Sequence, residues 1–96
     1  MADRLTGKER RILELLEGLG ESTGWALVDA SAGDLKRGTV YVTLGRMADK
    51  GLVTSRQEAR RAGQSGPLRR LHRPTPRATA LLALERRVTA LMGELA

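Results

Sequence analysis

Hydrophobic residues recur at helical spacing in four stretches of the chain. Two extended runs lie between the third and the fourth of these stretches. The first stretch covers residues 7–18 and is preceded by Thr6, which with Glu9 has the spacing of a capping box. A glycine at position 18 or 20 is expected to end this helix. Its apolar positions predict one buried face: Ile12, Leu13, Leu15, Leu16 and Leu19.

A second, shorter helix is predicted to run to about Ala32, with Ser22 or Thr23 as its N-cap. Trp25 and Val28 are three residues apart and should therefore lie on the same side of this helix. We expect Trp25 to belong to the core.

The third helix is predicted over residues 36–50 and should stop at Gly51. Its core face contains Val40, Leu44, Met47 and Ala48. The opposite face carries cationic, hydroxyl-bearing or aromatic side chains: Lys36, Arg37, Thr39, Tyr41, Thr43, Arg46 and Lys50. Such side chains suit phosphates and base edges, so this face predicts a DNA-recognition helix. For Tyr41 alone, a partly buried core position is an equally good interpretation.

Extended runs at 52–59 and 68–73 flank a glycine-rich turn at 62–67, which predicts a β-hairpin. The hairpin contains one acid, Glu58, and a large set of arginines: Arg56, Arg60, Arg61, Arg69, Arg70 and Arg73. A hairpin with this charge can follow a phosphate backbone or insert an arginine into a narrow minor groove. We therefore interpret it as the wing of a DNA-binding domain.

Pro74 should end the second strand, and Thr75-Pro76 has the N-cap and first-turn proline that begin a helix. The apolar positions that follow are spaced by three or four residues, as in a coiled-coil seam: Ala78, Leu81, Leu84, Val88, Leu91 and Leu95. Leu82 and Met92 widen the stripe. Such a helix can pack on its own domain, but the other elements of this short chain already cover one another. We therefore predict dimerisation through Leu81, Leu84, Val88, Leu91 and Leu95.

The charge of the chain is concentrated in its middle. Seventeen Lys and Arg residues oppose eleven acids, which gives a net charge of +6 and a pI near 11.0. Residues 36–73 contain ten of those cations and two acids, for a net +8, and the remainder carries −2. An excess confined to one region favours a polyanionic partner, with nucleic acid ahead of a membrane surface.

Several classes of function are disfavoured by composition. There is no cysteine, which excludes thiol catalysis, disulfides and zinc fingers. The single histidine, His72, lies among arginines, where packing or phosphate contact is a better interpretation than catalysis or metal binding. We expect no enzyme activity, no cofactor and no metal. The longest apolar run is residues 80–84, too short to cross a bilayer, and we expect a cytoplasmic protein.

Three helices, a basic hairpin and a final helix make a winged helix-turn-helix, mainly α with a small β-hairpin, in the order α-α-α-β-β-α. We expect residues 1–74 to form the winged helix DNA-binding domain. Residues 75–96 should form the dimerisation helix of the same compact unit.

Certain residues resemble the PadR-like family of transcriptional regulators. The recognition segment of that family is similar to Gly38-Thr39-Val40-Tyr41, followed here by Leu44, Arg46 and Gly51-Leu52-Val53. Gly24-Trp25-Ala26-Leu27 resembles the start of its second helix, and residues 66–75 resemble its basic strand. His72 replaces the usual Tyr there, and Arg77-Ala78 replaces an acid and a glycine.

The resemblance implies a sequence-specific regulator of transcription, a repressor, that binds double-stranded DNA as a homodimer. Helix 36–50 would enter the major groove, and the wing, residues 52–73, would lie on the backbone or in the minor groove. The alternatives are a winged helix that binds protein and a non-specific nucleic-acid-binding protein. The sequence identifies neither an operator nor a small-molecule effector.

Overall fold

The computed structural model describes residues 4–95. It contains four helices and a small antiparallel sheet, in the order α1, β1, α2, α3, β2, β3, α4. The helices are α1 (Gly7–Leu19), α2 (Gly24–Ala30), α3 (Arg37–Asp49) and α4 (Pro76–Leu95). The strands are β1 (Ser22–Thr23), β2 (Val53–Gln57) and β3 (Arg70–Pro74). The predicted winged helix-turn-helix is confirmed.

The start of α1 forms the predicted capping box. The Glu9 backbone N–H donates to the Thr6 hydroxyl over 3.1 Å, and the Thr6 N–H donates to the Glu9 carboxylate over 2.9 Å. The helix ends at Gly20, which has a φ of +80°. Ile12, Leu13 and Leu16 are buried as predicted, whereas Leu19 is exposed.

The second helix is shorter than predicted. Thr23 is its N-cap and accepts a hydrogen bond from the Ala26 N–H over 3.1 Å. The helix ends at Ala30 because Ala32 and Gly33 both have positive φ. The Ser31 hydroxyl donates to the Val28 carbonyl over 2.7 Å and accepts from the Leu35 N–H over 3.1 Å, which closes the turn into α3.

The sheet has one strand more than the predicted hairpin. Strand β3 pairs with β2 on one side and with the two-residue strand β1 on the other. Pro74 is the last residue of β3, opposite Val53, so the strand ends at this proline and runs one residue beyond the predicted extended run 68–73. Thr75 then begins α4: its N–H donates to the Leu52 carbonyl over 3.0 Å, and its hydroxyl accepts from the Ala78 N–H over 3.2 Å.

The core lies where α1, α2, α3, the base of the sheet and the first turns of α4 meet. Its buried apolar residues come from every one of these elements and from the loops between them: Leu5, Ile12, Leu13, Leu16, Leu27, Leu35, Val40, Leu44, Met47, Leu52, Val53, Ala78 and Leu82. One face of α3 is therefore held against the body, and its other face is free for contact.

Candidate nucleic-acid interface

Helix α3 buries one face and leaves the other open. The exposed positions lie close together on the helix surface: Arg37, Gly38, Tyr41, Val42, Gly45, Arg46 and Asp49. Gly38 and Gly45 are near the middle of this stripe, and a Cβ added at either would meet no atom within 4 Å. The centre of the exposed face is therefore narrow, with larger side chains along its two margins.

The predicted face of α3 needs one correction. Thr43 was predicted on the contact face, but it is only 7% exposed. Ala48 was predicted on the core face, but it is exposed. Both placements are wrong. At 100° per residue, Thr43 and Ala48 fall on opposite borders of the stripe formed by Val40, Leu44 and Met47, and packing buries the first and leaves the second exposed. The remaining predicted contact residues are exposed, apart from Thr39, which is half-buried.

Lys50, at the C-cap of α3, is already engaged within the protein. Its Nζ lies 2.7 Å from Oε2 of Glu9, a carboxylate that is 2% exposed. Burial acts to raise the pKa of Glu9, but hydrogen bonds from Lys50 and Thr6 outweigh it and hold that pKa below its usual range. Lys50 therefore ties the end of α3 to the first turn of α1, in addition to any contact outside the chain.

The two aromatic residues lie near each other at the start of α2, and both are exposed. Trp25 is 62% exposed, so its predicted core position is wrong. The core positions of α2 are Gly24 and Leu27, and Trp25 projects from the opposite side. Tyr41 is 47% exposed, and its ring rests on Gly24. It is therefore partly packed, as in the core interpretation, and partly exposed, as in the contact interpretation.

The wing carries its arginines in different states. Arg56 makes a bidentate ion pair with Glu21, and Arg69 makes one with Glu58. These partners hold the pKa values of both carboxyls below their usual range. Two more donate within the wing: Arg60 to the carbonyls of residues 64 and 66, and Arg70 to the Ser55 hydroxyl.

Arg61 and Arg73 differ from these four. Within residues 4–95, neither side chain has a hydrogen bond or a close ion pair. Each interacts electrostatically with a more distant carboxylate, Arg61 with Glu58 and Arg73 with Glu21. Both are exposed. The predicted wing arginines therefore lie on one hairpin as expected, but only Arg61 and Arg73 have side chains without a hydrogen-bond or ion-pair partner among the described residues.

His72 is half-buried in β3, opposite Ser55 on one side and Ser22 on the other. Burial lowers its pKa, and the positive charge of Arg70 lowers it further. Both effects favour the neutral imidazole, which suits a packed position in the sheet.

The predicted seam of α4 divides between two environments. Ala78 is buried, and Leu81 packs partly against the core. Leu84, Val88, Leu91 and Leu95 are exposed, as is Met92. Arg86 and Glu85 hold the neighbouring side of the helix to α1 through ion pairs with Glu17 and Arg10, both at 2.7 Å. An apolar stripe on α4 is thus left uncovered by the other elements within residues 4–95.

Sequence reasoning missed residues around the exposed face of α3. Lys8, in the first turn of α1, borders the same groove as Thr39 and Arg46. Val42 is 56% exposed in the middle of that face. The helical period of α3 would have predicted Val42 on the exposed face. Lys8, by contrast, is brought near α3 only by the tertiary fold. Across residues 4–95, no helix has the length and hydropathy needed to cross a membrane.

The fold resembles solved structures of transcription regulators. A PadR family transcription regulator from Clostridium difficile superposes with a TM-score of 0.72 at 22% identity, covering 90% of each chain. A PadR-like transcriptional regulator from Bacillus cereus gives a TM-score of 0.67 at 19% identity, covering 90% of this chain and 84% of that one. No family model and no curated protein matches the sequence. The resemblance drawn from the residues is confirmed at the level of structure: this chain has the winged helix-turn-helix fold of PadR-like regulators.

Proposed function

We propose that this protein is a PadR-like transcription regulator that binds specific double-stranded DNA sequences and acts as a repressor. The solved structures with the same fold are transcription regulators. In this proposal the winged helix, residues 1–74, contacts DNA, and residues 75–96 join two copies of the chain. The protein works in the cytoplasm without a cofactor and without catalytic chemistry.

The exposed face of α3 is the observation that carries the proposal. The major groove is wide enough to admit an α-helix, and small residues on the leading edge of the helix let its backbone approach the bases closely. The leading edge here has Gly38 and Gly45, with Val42 between them, and cations stand along its margins. Arg37 and Arg46 are exposed and suited to phosphate or guanine. Val42 is suited to the methyl group of thymine.

The wing supports the same orientation. It follows α3 directly, since Gly51 has a φ of +73° and turns the chain from the helix into β2. Its arginines extend the positive charge of α3 along one side of the domain, and residues 36–73 carry a net +8. Arginines on a hairpin beside a helix in the major groove are positioned for the adjoining backbone or minor groove.

Dimerisation follows from α4. Large apolar side chains are exposed along its second half: Leu84, Val88, Leu91, Met92 and Leu95. A contiguous apolar stripe of this kind is costly in water and marks a contact surface. A second copy related by a two-fold axis would cover both stripes at once. It would also present two α3 helices to half-sites about 34 Å apart.

Selection of duplexes from a random pool tests the function. We expect the wild type to enrich a two-fold symmetric site. Arg37→Ala and Val42→Ala should each relax the preference at particular base pairs, by about 1–3 kcal/mol for a lost bidentate arginine contact. Thr54→Ala, an exposed β2 substitution of similar size, is the control. A protein that retains no preference among duplexes would instead be a non-specific binder, and one that binds no duplex would favour a protein-binding winged helix.

Sedimentation tests the assembly. We expect a dimer for the wild type at micromolar concentrations and a monomer for Leu84→Asp/Leu91→Asp, which puts charge into the stripe. Ala90→Asp adds one such charge away from the stripe, 100° around α4 from Leu91, and should leave the dimer intact. A wild-type monomer at tens of micromolar would contradict the role given to α4.

A further inference from the structure

A groove of about 270 Å³ lies between the first turn of α1 and the exposed face of α3. It is open to solvent and borders the surface that we propose enters the major groove. Its lining is cationic, hydroxyl-bearing or small: Lys8, Gly38, Thr39, Val42, Thr43 and Arg46. None of the acidic residues that the structure describes, in 4–95, lines it.

The two cations of this groove come from different helices. Lys8 belongs to α1 and Arg46 to α3, and within the described part of the chain neither has an ion-pair or side-chain hydrogen-bond partner. Lys50, on the same helix as Arg46, is by contrast paired with Glu9. Two unpaired cations at one groove repel each other, and an anion between them would remove that repulsion.

The hydroxyl groups of the groove strengthen the case for an anion. Thr43 is almost fully buried, yet it lines the groove, and its hydroxyl has no hydrogen-bond partner among residues 4–95. Its oxygen is not itself buried, since among residues 4–95 the one buried side-chain nitrogen or oxygen without a partner is Nε of Arg11, so the hydroxyl is open to the groove. Thr39 adds a second hydroxyl from the preceding turn of α3. Gly38 lacks a side chain, so access to both remains open.

We propose that this groove binds one phosphodiester group of the DNA backbone, with Lys8 as a DNA contact supplied by α1. The inference rests on the proposed function and adds a site to it. Lys8 and Arg46 would neutralise the phosphate from opposite walls, and the threonine hydroxyls would donate to its oxygens. Because one cation comes from α1 and the other from α3, a bound phosphate fixes how deeply α3 enters the major groove.

Variants of Lys8 test the site by affinity. On a selected duplex, Lys8→Met should weaken binding roughly tenfold or more, as loss of a charged hydrogen bond does. It should also lower the slope of log affinity against log salt by about 0.9 per subunit. Lys8→Arg should restore both quantities. Arg11→Met is the matched control: it removes one positive charge from the same helix, at a residue that pairs with Asp34 outside the groove.

Thr43→Val tests the hydroxyl of that residue separately, because valine keeps the volume of threonine and removes only its donor. We expect weaker DNA binding with an unchanged melting temperature. Phosphate ethylation interference then locates the contact: wild type should show one sensitive phosphate per half-site that Lys8→Met no longer shows.

The outcomes separate the inference from the function. If the wild type binds no duplex, the proposed function and this site both fail. If it binds and Lys8→Met behaves like Arg11→Met with an unchanged interference pattern, only this site fails. If inorganic phosphate alone shifts the Thr39 and Thr43 amide resonances, and duplex DNA does not, the groove binds a free anion and the backbone assignment is overturned.

Discussion

The ring of Tyr41 rests directly on the backbone of Gly24: a Cβ added to Gly24 would lie 2.7 Å from Cε1 of the tyrosine and 3.0 Å from its Cζ. Real Cβ atoms do not approach another atom so closely, so this contact between α3 and α2 depends on a glycine. The contact orients the ring and leaves 47% of Tyr41 exposed. The tyrosine is thus packed on one side and exposed to solvent on the other.

Tyr41→Phe should leave stability unchanged and weaken DNA binding. The hydroxyl has no hydrogen-bond partner among residues 4–95, so its removal should alter the free energy of unfolding by less than about 0.5 kcal/mol. If the hydroxyl donates to a phosphate or base, affinity should fall by about 0.5–3 kcal/mol. Thermal unfolding and duplex titration measure the two quantities. A less stable variant that binds DNA normally would make Tyr41 a core residue only.

Gly24→Ala should act on DNA binding through Tyr41. The added methyl group must displace the end of the tyrosine side chain, which can swing toward solvent at modest cost because it is half exposed. We expect reduced DNA affinity with a loss of stability below about 1 kcal/mol. In a Tyr41→Ala background the same substitution should have no effect on affinity, and a double-mutant cycle measures that coupling. Independent effects would mean that the packing does not orient the ring.

The Glu9–Lys50 pair should make stability depend on pH. Lys50 is about half exposed and Glu9 is buried, so Lys50→Met should destabilise by an intermediate amount, about 1–3 kcal/mol. The folded pKa of Glu9 lies below its ordinary value of 4.5. Its charge therefore stabilises the fold above pH 4.5, and this contribution is lost as pH falls through the folded pKa. Urea unfolding of both proteins between neutral and acidic pH should show the difference shrinking.

Lys36→Met provides the control for that measurement. It removes the same charge from the other end of α3, where Lys36 is the N-cap and makes no side-chain cap hydrogen bond. We expect little change in stability at either pH. If Lys50→Met and Lys36→Met behave alike, net charge rather than the Glu9 contact sets the effect.

Local patterns were sufficient for much of the fold. The capping box at Thr6 and Glu9, the N-cap at Thr75 and the stop at Gly51 depend on neighbouring residues, and each is present in the structure. Four helices and a hairpin in the right order follow from such signals. Boundaries moved by one or two residues, most clearly at the end of α2, where positive φ at Ala32 stops the helix early.

The missed features depend on tertiary contacts. Strand β1 exists because Ser22 and Thr23 meet His72 and Leu71, about fifty residues further along the chain. Trp25 has the large apolar side chain of a core residue, but Leu27 occupies the buried side of α2. The position of Thr43 at the edge of an apolar stripe is decided by packing. Which arginines are paired also depends on where Glu21 lies after folding.

A final prediction concerns the wing, where the Glu58 carboxylate forms an ion pair with the Arg69 guanidinium. Both guanidinium nitrogens of the pair lie 2.8 Å from the carboxylate oxygens, in an exposed position. Because Arg69 is exposed, solvent screens the pair, so its loss should be tolerated by the fold. Toward DNA, however, Glu58 has two opposing effects: it repels phosphate and it engages a cation that would otherwise bind phosphate.

Glu58→Gln should therefore tighten binding to duplexes of any sequence. The substitution removes a negative charge and frees Arg69 for one more phosphate, so the slope of log affinity against log salt should steepen by up to about 0.9 per subunit. Glu14→Gln makes the same change in net charge on α1, away from the wing, and should leave the slope unaltered. Titrations of both variants at several salt concentrations separate local release of Arg69 from a general gain in charge. Weaker binding by Glu58→Gln would reverse the interpretation, since Glu58 would then be holding Arg69 in position for the phosphate.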